Sequence, residues 1–221
     1  MRLLELLFSP WNRTSPTTWG ISSSIHVDFG CGYFPRNPFS ATDLIGIDLL
    51  PPIDSYPVDI ARYIQVKPGD RTPINDSSVD SISGYDFIEH LSRGGDGSPN
   101  YFIEFMNEAH RLLRPGGILF LVTPAFPSPA AFQDPTHVNF ITEGTVEYFL
   151  GENAYARSQG YGFNGDFKLV TQTWVGPMSK IFEQPKKIPG NKHLTSIIPS
   201  IRRIVAGTRK PTHLLWVLSK T

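Results

Sequence analysis

The chain has 221 residues, 40% of them hydrophobic, and a formal net charge of +0. That length supports one substantial core, so one domain is the simplest organisation, and the balanced charge excludes a global field that would steer it to nucleic acid or an anionic membrane. A single cysteine, Cys31, excludes an intrachain disulfide and any multi-cysteine metal site, and it suits a reducing, cytoplasmic setting.

In chain order, the leucine-rich start is interrupted by Glu5 and closed by Pro10, short of signal-peptide or spanning length. It reads as a short amphipathic helix on the core or a membrane-surface foot, and residues 1–24 form this helix and a Ser/Thr/Pro-rich loop. From Ile25 a short apolar strand ends on Asp28 and enters a glycine turn, Gly30-Cys31-Gly32. Glycine suits backbone that takes positive φ or lies against a ligand, so the turn is either a nucleotide-like cradle or a plain tight turn. Pro35 and Pro38 then argue against a full helix in the first crossover.

Leu44 to Leu50 reads as a second buried strand with Asp48 at its carboxyl end, where open α/β sheets bind ligands; Asp48 is a ribose-holding acid or a turn former before Pro51-Pro52. A weak third strand is predicted over Tyr56 to Ile60, followed by polar turns to Asp80. Val79 to Tyr85 alternates as a strand, and Asp86 to Leu91 follows as a helical start in which Asp86 and Glu89 have capping-box spacing. The clearest helix opens with Ser98 as N-cap and Pro99 as first residue and runs through Tyr101, Phe105, Ala109 and Leu112 to a stop at Pro115-Gly116-Gly117. A buried strand is predicted over Ile118 to Pro124, a loop over Ala125 to Pro135, a helix over Thr142 to Leu150, and strands over Phe167 to Val175 and His213 to Leu218.

Residues 25–175 would then be the core and 212–221 the last strand. Between them, 176–211 carries Lys180, Lys186, Lys187, Lys192, Arg202, Arg203, Arg209 and Lys210 against Glu183 alone. Leu194, Ile197, Ile198, Ile201, Ile204 and Val205 share a helical face there. A basic amphipathic helix of this kind lies on an anionic membrane, binds an acidic partner, or packs on the sheet edge with its charges in water.

The strand-turn at Asp28, the acid at Asp48, the strand at Val79 to Tyr85, Glu89-His90-Leu91, and Arg111 to Gly117 occur in an order that resembles the class I S-adenosylmethionine-dependent methyltransferases, over roughly Ile25 to Pro124. The resemblance implies an α/β, doubly wound, mostly parallel, seven-stranded Rossmann-like sheet, with the basic insertion before the last strand. It implies S-adenosylmethionine as cofactor, with Asp28, Gly30, Cys31 and Gly32 at its methionine part, Asp48 and Leu49 at the ribose, Asp59 and Ile60 at the adenine, and Tyr85 near the methyl group. Phe34 stands where the family has a third glycine. The run Asp134 to Thr142 resembles a His-bearing loop of methyltransferases linked to glycan pathways, which implies a small-molecule or glycan acceptor.

Methyl transfer is an in-line displacement that chiefly needs alignment and exclusion of water, with a base where the nucleophile is a hydroxyl. His137 is the first candidate base, or else it orders its loop through Asp134; His90 is second, and Asp86 borders the methyl group. His110 reads as structural. No metal site is predicted, because the histidines are scattered in the sequence. Nucleic-acid acceptors are disfavoured by Gly84-Tyr85-Asp86-Phe87 where an Asn/Asp-Pro-Pro-aromatic run would be wanted. The competing reading is a non-catalytic module docked to a membrane or partner through 176–211.

Overall fold

The computed structural model describes residues 23–51, 62–95, 97–176 and 211–221. Within them lie seven strands: β1 (Ile25–Phe29), β2 (Asp43–Asp48), β3 (Arg62–Gln65), β4 (Val79–Tyr85), β5 (Leu113–Pro124), β6 (Phe167–Val175) and β7 (His213–Lys220). They form one sheet in the order β3-β2-β1-β4-β5-β7-β6. The pairs from β3 to β5 are parallel, and β7 runs antiparallel to both β5 and β6. The last strand in sequence is thus an interior strand, and β6 is the edge.

The interior strands bury apolar residues on both faces, with Val27, Ile82, Leu119, Phe120, Leu215 and Trp216 all inaccessible to solvent, and the buried polar groups of β1 and β4, His26, Asp28, Ser81 and Ser83, bond one another. One face is covered by the helix α1 (Tyr101–Leu112), which lays Phe102, Phe105, Met106, Ala109 and Leu112 on the sheet. Phe105 meets Phe29 and Phe87 edge-on at 5.2 and 5.1 Å between ring centroids. The other face packs Phe39, Tyr85, Phe120, Val122, Leu215 and Val217 together. Phe39 comes from the proline-bearing crossover between β1 and β2, which is irregular as expected.

Several expected boundaries move. The N-cap of α1 is Asn100, whose side-chain oxygen accepts from the N–H of Phe102 and Ile103 at 3.0 and 3.3 Å; Ser98 and Pro99 lie outside the helix. That helix ends at Leu112, and β5 already begins at Leu113, with Pro115-Gly116-Gly117 inside its first half. Asp86 to Leu91 forms only a 3-10 turn (Ile88–His90), with no side-chain cap, so the Asp86–Glu89 capping box does not form. Thr142 instead caps a 3-10 helix (Glu143–Phe149) by exchanging hydrogen bonds with Thr145. The stretch predicted as loop over Ala125 to Pro135 contains one short helical turn, Ala130–Gln133.

The third described strand is Arg62–Gln65, which pairs with β2 through Ile45 to Asp48, and the strand expected over Tyr56 to Ile60 lies outside the described residues. Beyond it the crossover to β4 is a loop, held to α1 by Arg111 and Glu108. Glu108 accepts from both the N–H and the hydroxyl of Thr72, and Arg111 donates to Glu108, to the Ile74 carbonyl and to Asp76. Among the described residues no helix is long and apolar enough to cross a membrane. The N-terminal helix, Asp59, Ile60 and nearly all of 176–211 lie outside the described residues.

Candidate active site

Two cavities open at the carboxyl ends of the parallel strands. The first, about 760 Å³, is walled by Gly30, Ile47, Asp48 and Leu49 from the ends of β1 and β2, by Val66–Arg71 beyond β3, and by Phe87, His90 and Leu91 beyond β4. The switch point lies here, since the chain leaves β1 for β2 on one side and β4 lies on the other. Gly30 has φ +63° and a Cβ there would lie 2.5 Å from the Phe87 ring, so only glycine fits. Asp48 turns its carboxylate back on the turn, accepting from the N–H of Gly32 at 2.7 Å and of Leu50 at 3.0 Å.

The other residues predicted at the cofactor divide. Gly30, Asp48 and Leu49 line the cavity. Gly32, with φ +56°, faces open space without lining it. Asp28, Cys31 and Tyr85 are buried behind it and build the turn. Asp28 accepts from Arg36 N–H at 2.7 Å and from the Ser83 hydroxyl at 2.5 Å, which returns the loop over the strand. Burial pushes its carboxyl up to about 6, against the lowering effect of Arg36. Ser83 also bonds His26, whose imidazole is fully buried and is driven by that burial down to about 3. Tyr85 lies beneath the Arg36 guanidinium, 4.4 Å from its ring centroid. Cys31 donates its N–H to Ile47, and burial pushes its thiol up.

Sequence reasoning missed Val66–Arg71. This segment follows β3 directly and lines the first cavity, whereas Asp59 and Ile60 lie outside the described residues. The available signal was Pro68-Gly69-Asp70, a turn directly after a short strand; Gly69 has φ +88° and lies under the ring of Tyr101. His110, expected to be structural, lines the first cavity and stacks edge-on against Phe167 at 5.3 Å.

The second cavity, about 1360 Å³, lies between the ends of β4 and β5, the start of β7 and the loop that carries His137. All three predicted catalytic residues, Asp86, His90 and His137, line it, together with Glu89. Asp86 takes φ +47° at the end of β4, turning the chain sharply, and its carboxylate lies 3.1 Å from His213 Nε2. Glu89 is inaccessible to solvent and accepts from the Thr123 hydroxyl at 2.8 Å. Burial, then the charge of Asp86, pushes its carboxyl up to about 8.

The histidines scattered in sequence are not scattered in space. The rings of His90 and His137 meet edge-on with centroids 4.8 Å apart, and ligand atoms of Glu89, His90 and His137 all lie within 4.8 Å of one another. His137 orders its loop through the main chain of Asp134, donating its N–H to that carbonyl at 3.2 Å, while Thr136 donates to the Asp134 carboxylate and His137 Nδ1 lies 3.1 Å from the Ala131 carbonyl. Among the described residues His90 is the one lining residue that the two cavities share.

A family model described as a methyltransferase domain matches residues 27–121, from β1 through most of β5. Over those residues the chain matches a methyltransferase domain, in line with the S-adenosylmethionine-dependent class that the sequence resembles. A methyltransferase of this class from Archaeoglobus fulgidus superposes with a TM-score of 0.55 at 17% identity, covering 98% of this chain and 94% of that one. The 1,6-didemethyltoxoflavin-N1-methyltransferase of Burkholderia thailandensis, solved with S-adenosylhomocysteine, gives 0.55 at 13% identity over 98% and 79% of the two chains. The N-methyltransferase NodS of Bradyrhizobium japonicum gives 0.53 at 12%, over 98% and 86%. No curated protein sequence matches. At these identities the structural likeness establishes the methyltransferase fold alone.

Proposed function

We propose that the chain transfers a methyl group from S-adenosylmethionine to the oxygen of a small-molecule or glycan acceptor. The observation that carries this reading is the pair of cavities meeting at His90, one walled by Gly30 and Asp48 and the other by Asp86, Glu89 and His137. The first cavity fits the cofactor: a Cβ at Gly30 would strike Phe87, and an acid ends β2. Gly30, Asp48, Leu49 and the Val66–Arg71 segment would hold it, and when bound it supplies an electrophilic methyl group on a sulfonium. Asp28, Cys31, Gly32 and Tyr85 act behind that wall by fixing the turn.

The acceptor occupies the second cavity, with its hydroxyl at the Glu89–His90–His137 cluster. His137 and His90 offer the imidazole nitrogens that can take the hydroxyl proton, and the apolar walls, Phe126, Pro127 and Trp174 among them, exclude water from the reacting groups. S-adenosylhomocysteine and S-adenosylmethionine titrated calorimetrically should both bind. Asp48→Ala, which removes a charged acceptor, should weaken both by about 10- to 100-fold. No binding to the native chain at millimolar ligand overturns the reading.

A further inference from the structure

The hydrogen bonds around His90 and His137 fix which nitrogen of each ring is free. Thr136 has one hydroxyl proton and donates it to Asp134 Oδ1 at 2.6 Å, so it accepts from His90 Nδ1–H at 2.9 Å. His137 Nδ1 faces the Ala131 carbonyl, which can only accept, so that nitrogen also carries its proton. Each neutral ring then keeps a lone pair on Nε2. Between them stands Glu89, whose Oε2 accepts from Thr123 while its buried Oε1 has no hydrogen-bond partner. A buried carboxyl oxygen with no partner is costly once ionised, and a cation that meets it removes that cost.

The frame around these three groups is rigid. The Glu89 carbonyl accepts from the N–H of Val138 and of Asn139 at 2.8 and 3.0 Å. The Asn139 side chain donates to the carbonyls of Ile88 and Leu91 at 2.8 and 2.6 Å. The His137 loop is therefore bolted to the turn that carries Glu89 and His90. Imidazoles whose second nitrogen donates to a carbonyl or to a hydroxyl backed by a carboxylate are the arrangement found around metal ligands.

We propose that Glu89, His90 and His137 bind a divalent first-row transition-metal ion in the wall of the second cavity. Two imidazoles and one carboxylate favour zinc, cobalt, nickel, iron or manganese over calcium and magnesium, which prefer all-oxygen shells. Asp86 and Asp134 add negative charge around Glu89. Three protein ligands leave coordination positions open, and a hydroxyl oxygen of the acceptor can take one. That role rests on the methyl-transfer reading, whereas binding of the ion does not.

The test uses the untagged full-length chain, stripped with a chelator and titrated with Co²⁺ by visible absorption and with Zn²⁺ by calorimetry. One ion per chain should bind, and Glu89→Gln, His90→Gln and His137→Gln should each weaken it by about 10- to 100-fold, while Thr136→Val, which frees the His90 ring, should weaken it as well. Should Glu89→Gln fail to fold, the two histidine variants, whose side chains reach solvent, still decide. No ion bound at millimolar concentration, or equal affinity in the histidine variants, overturns the site. Titrating S-adenosylhomocysteine into the same preparations separates loss of the ion site from failure of the methyltransferase reading.

Discussion

His26 and Asp28 share the Ser83 hydroxyl inside the sheet, and their displaced protonation equilibria oppose one another. His26 falls from its ordinary 6.5 to about 3, so below neutrality the unfolded chain takes up a proton that the folded chain refuses, and stability falls as pH falls. Asp28 rises from 3.8 to about 6, so in acid the folded chain takes up a proton first, and stability rises as pH falls. Between roughly pH 4 and 6 the two slopes, each about 1.4 kcal/mol per pH unit, cancel. Asp28→Asn removes one of them. Relative to the native chain it should lose about 2 kcal/mol between pH 6 and pH 4, read from urea midpoints across that range. Parallel profiles would show that the pair is not coupled to folding in this way.

At the level of elements, the crossover from β3 to β4 has to wall the first cavity without a helix of its own. Arg111 does for it what helix packing would do, since its largely buried guanidinium spans Glu108, the Ile74 carbonyl and Asp76. Arg111→Met keeps the stem but leaves Glu108 without its charged partner. We expect a loss of about 3 kcal/mol in denaturant unfolding and faster amide exchange over 67–78. Weaker S-adenosylhomocysteine binding should follow, because Lys67 to Arg71 line the cavity. Unchanged exchange in this segment would remove Arg111 as its anchor.

For the whole molecule, binding to the folded state alone must raise its stability. S-adenosylhomocysteine at a hundred times its dissociation constant should add about 2.7 kcal/mol, a rise in melting temperature of about 5 to 10 °C for a chain of this size. A melting temperature that does not move under saturation would contradict a preformed site. Much of this fold was legible because β2, β5 and β7 carry compact apolar runs and β4 alternates. β3 was not, since Arg62 and Gln65 are exposed at its ends and Tyr63 and Ile64 are only partly covered, so no run marks it. The helix start was placed at Ser98 because Pro99 suits a first helical position, whereas the side chain of Asn100 caps the helix two residues later. The meeting of His90 with His137 could not be read from the chain at all. It depends on main-chain bonds from Val138 and Asn139 to Glu89, which no side-chain pattern encodes.

Sharing a single wall residue divides the molecule in an unexpected way. The first cavity is built from the ends of β1, β2 and β3 together with α1, whereas the second is built mostly from the segments after β5 and before β7. Substitutions in one set need not disturb the other. On the proposed reading, residues 125–144 can be rewritten to change the acceptor while the walls assigned to the methyl donor stay as they are, and His90 is the hinge on which the two sets meet.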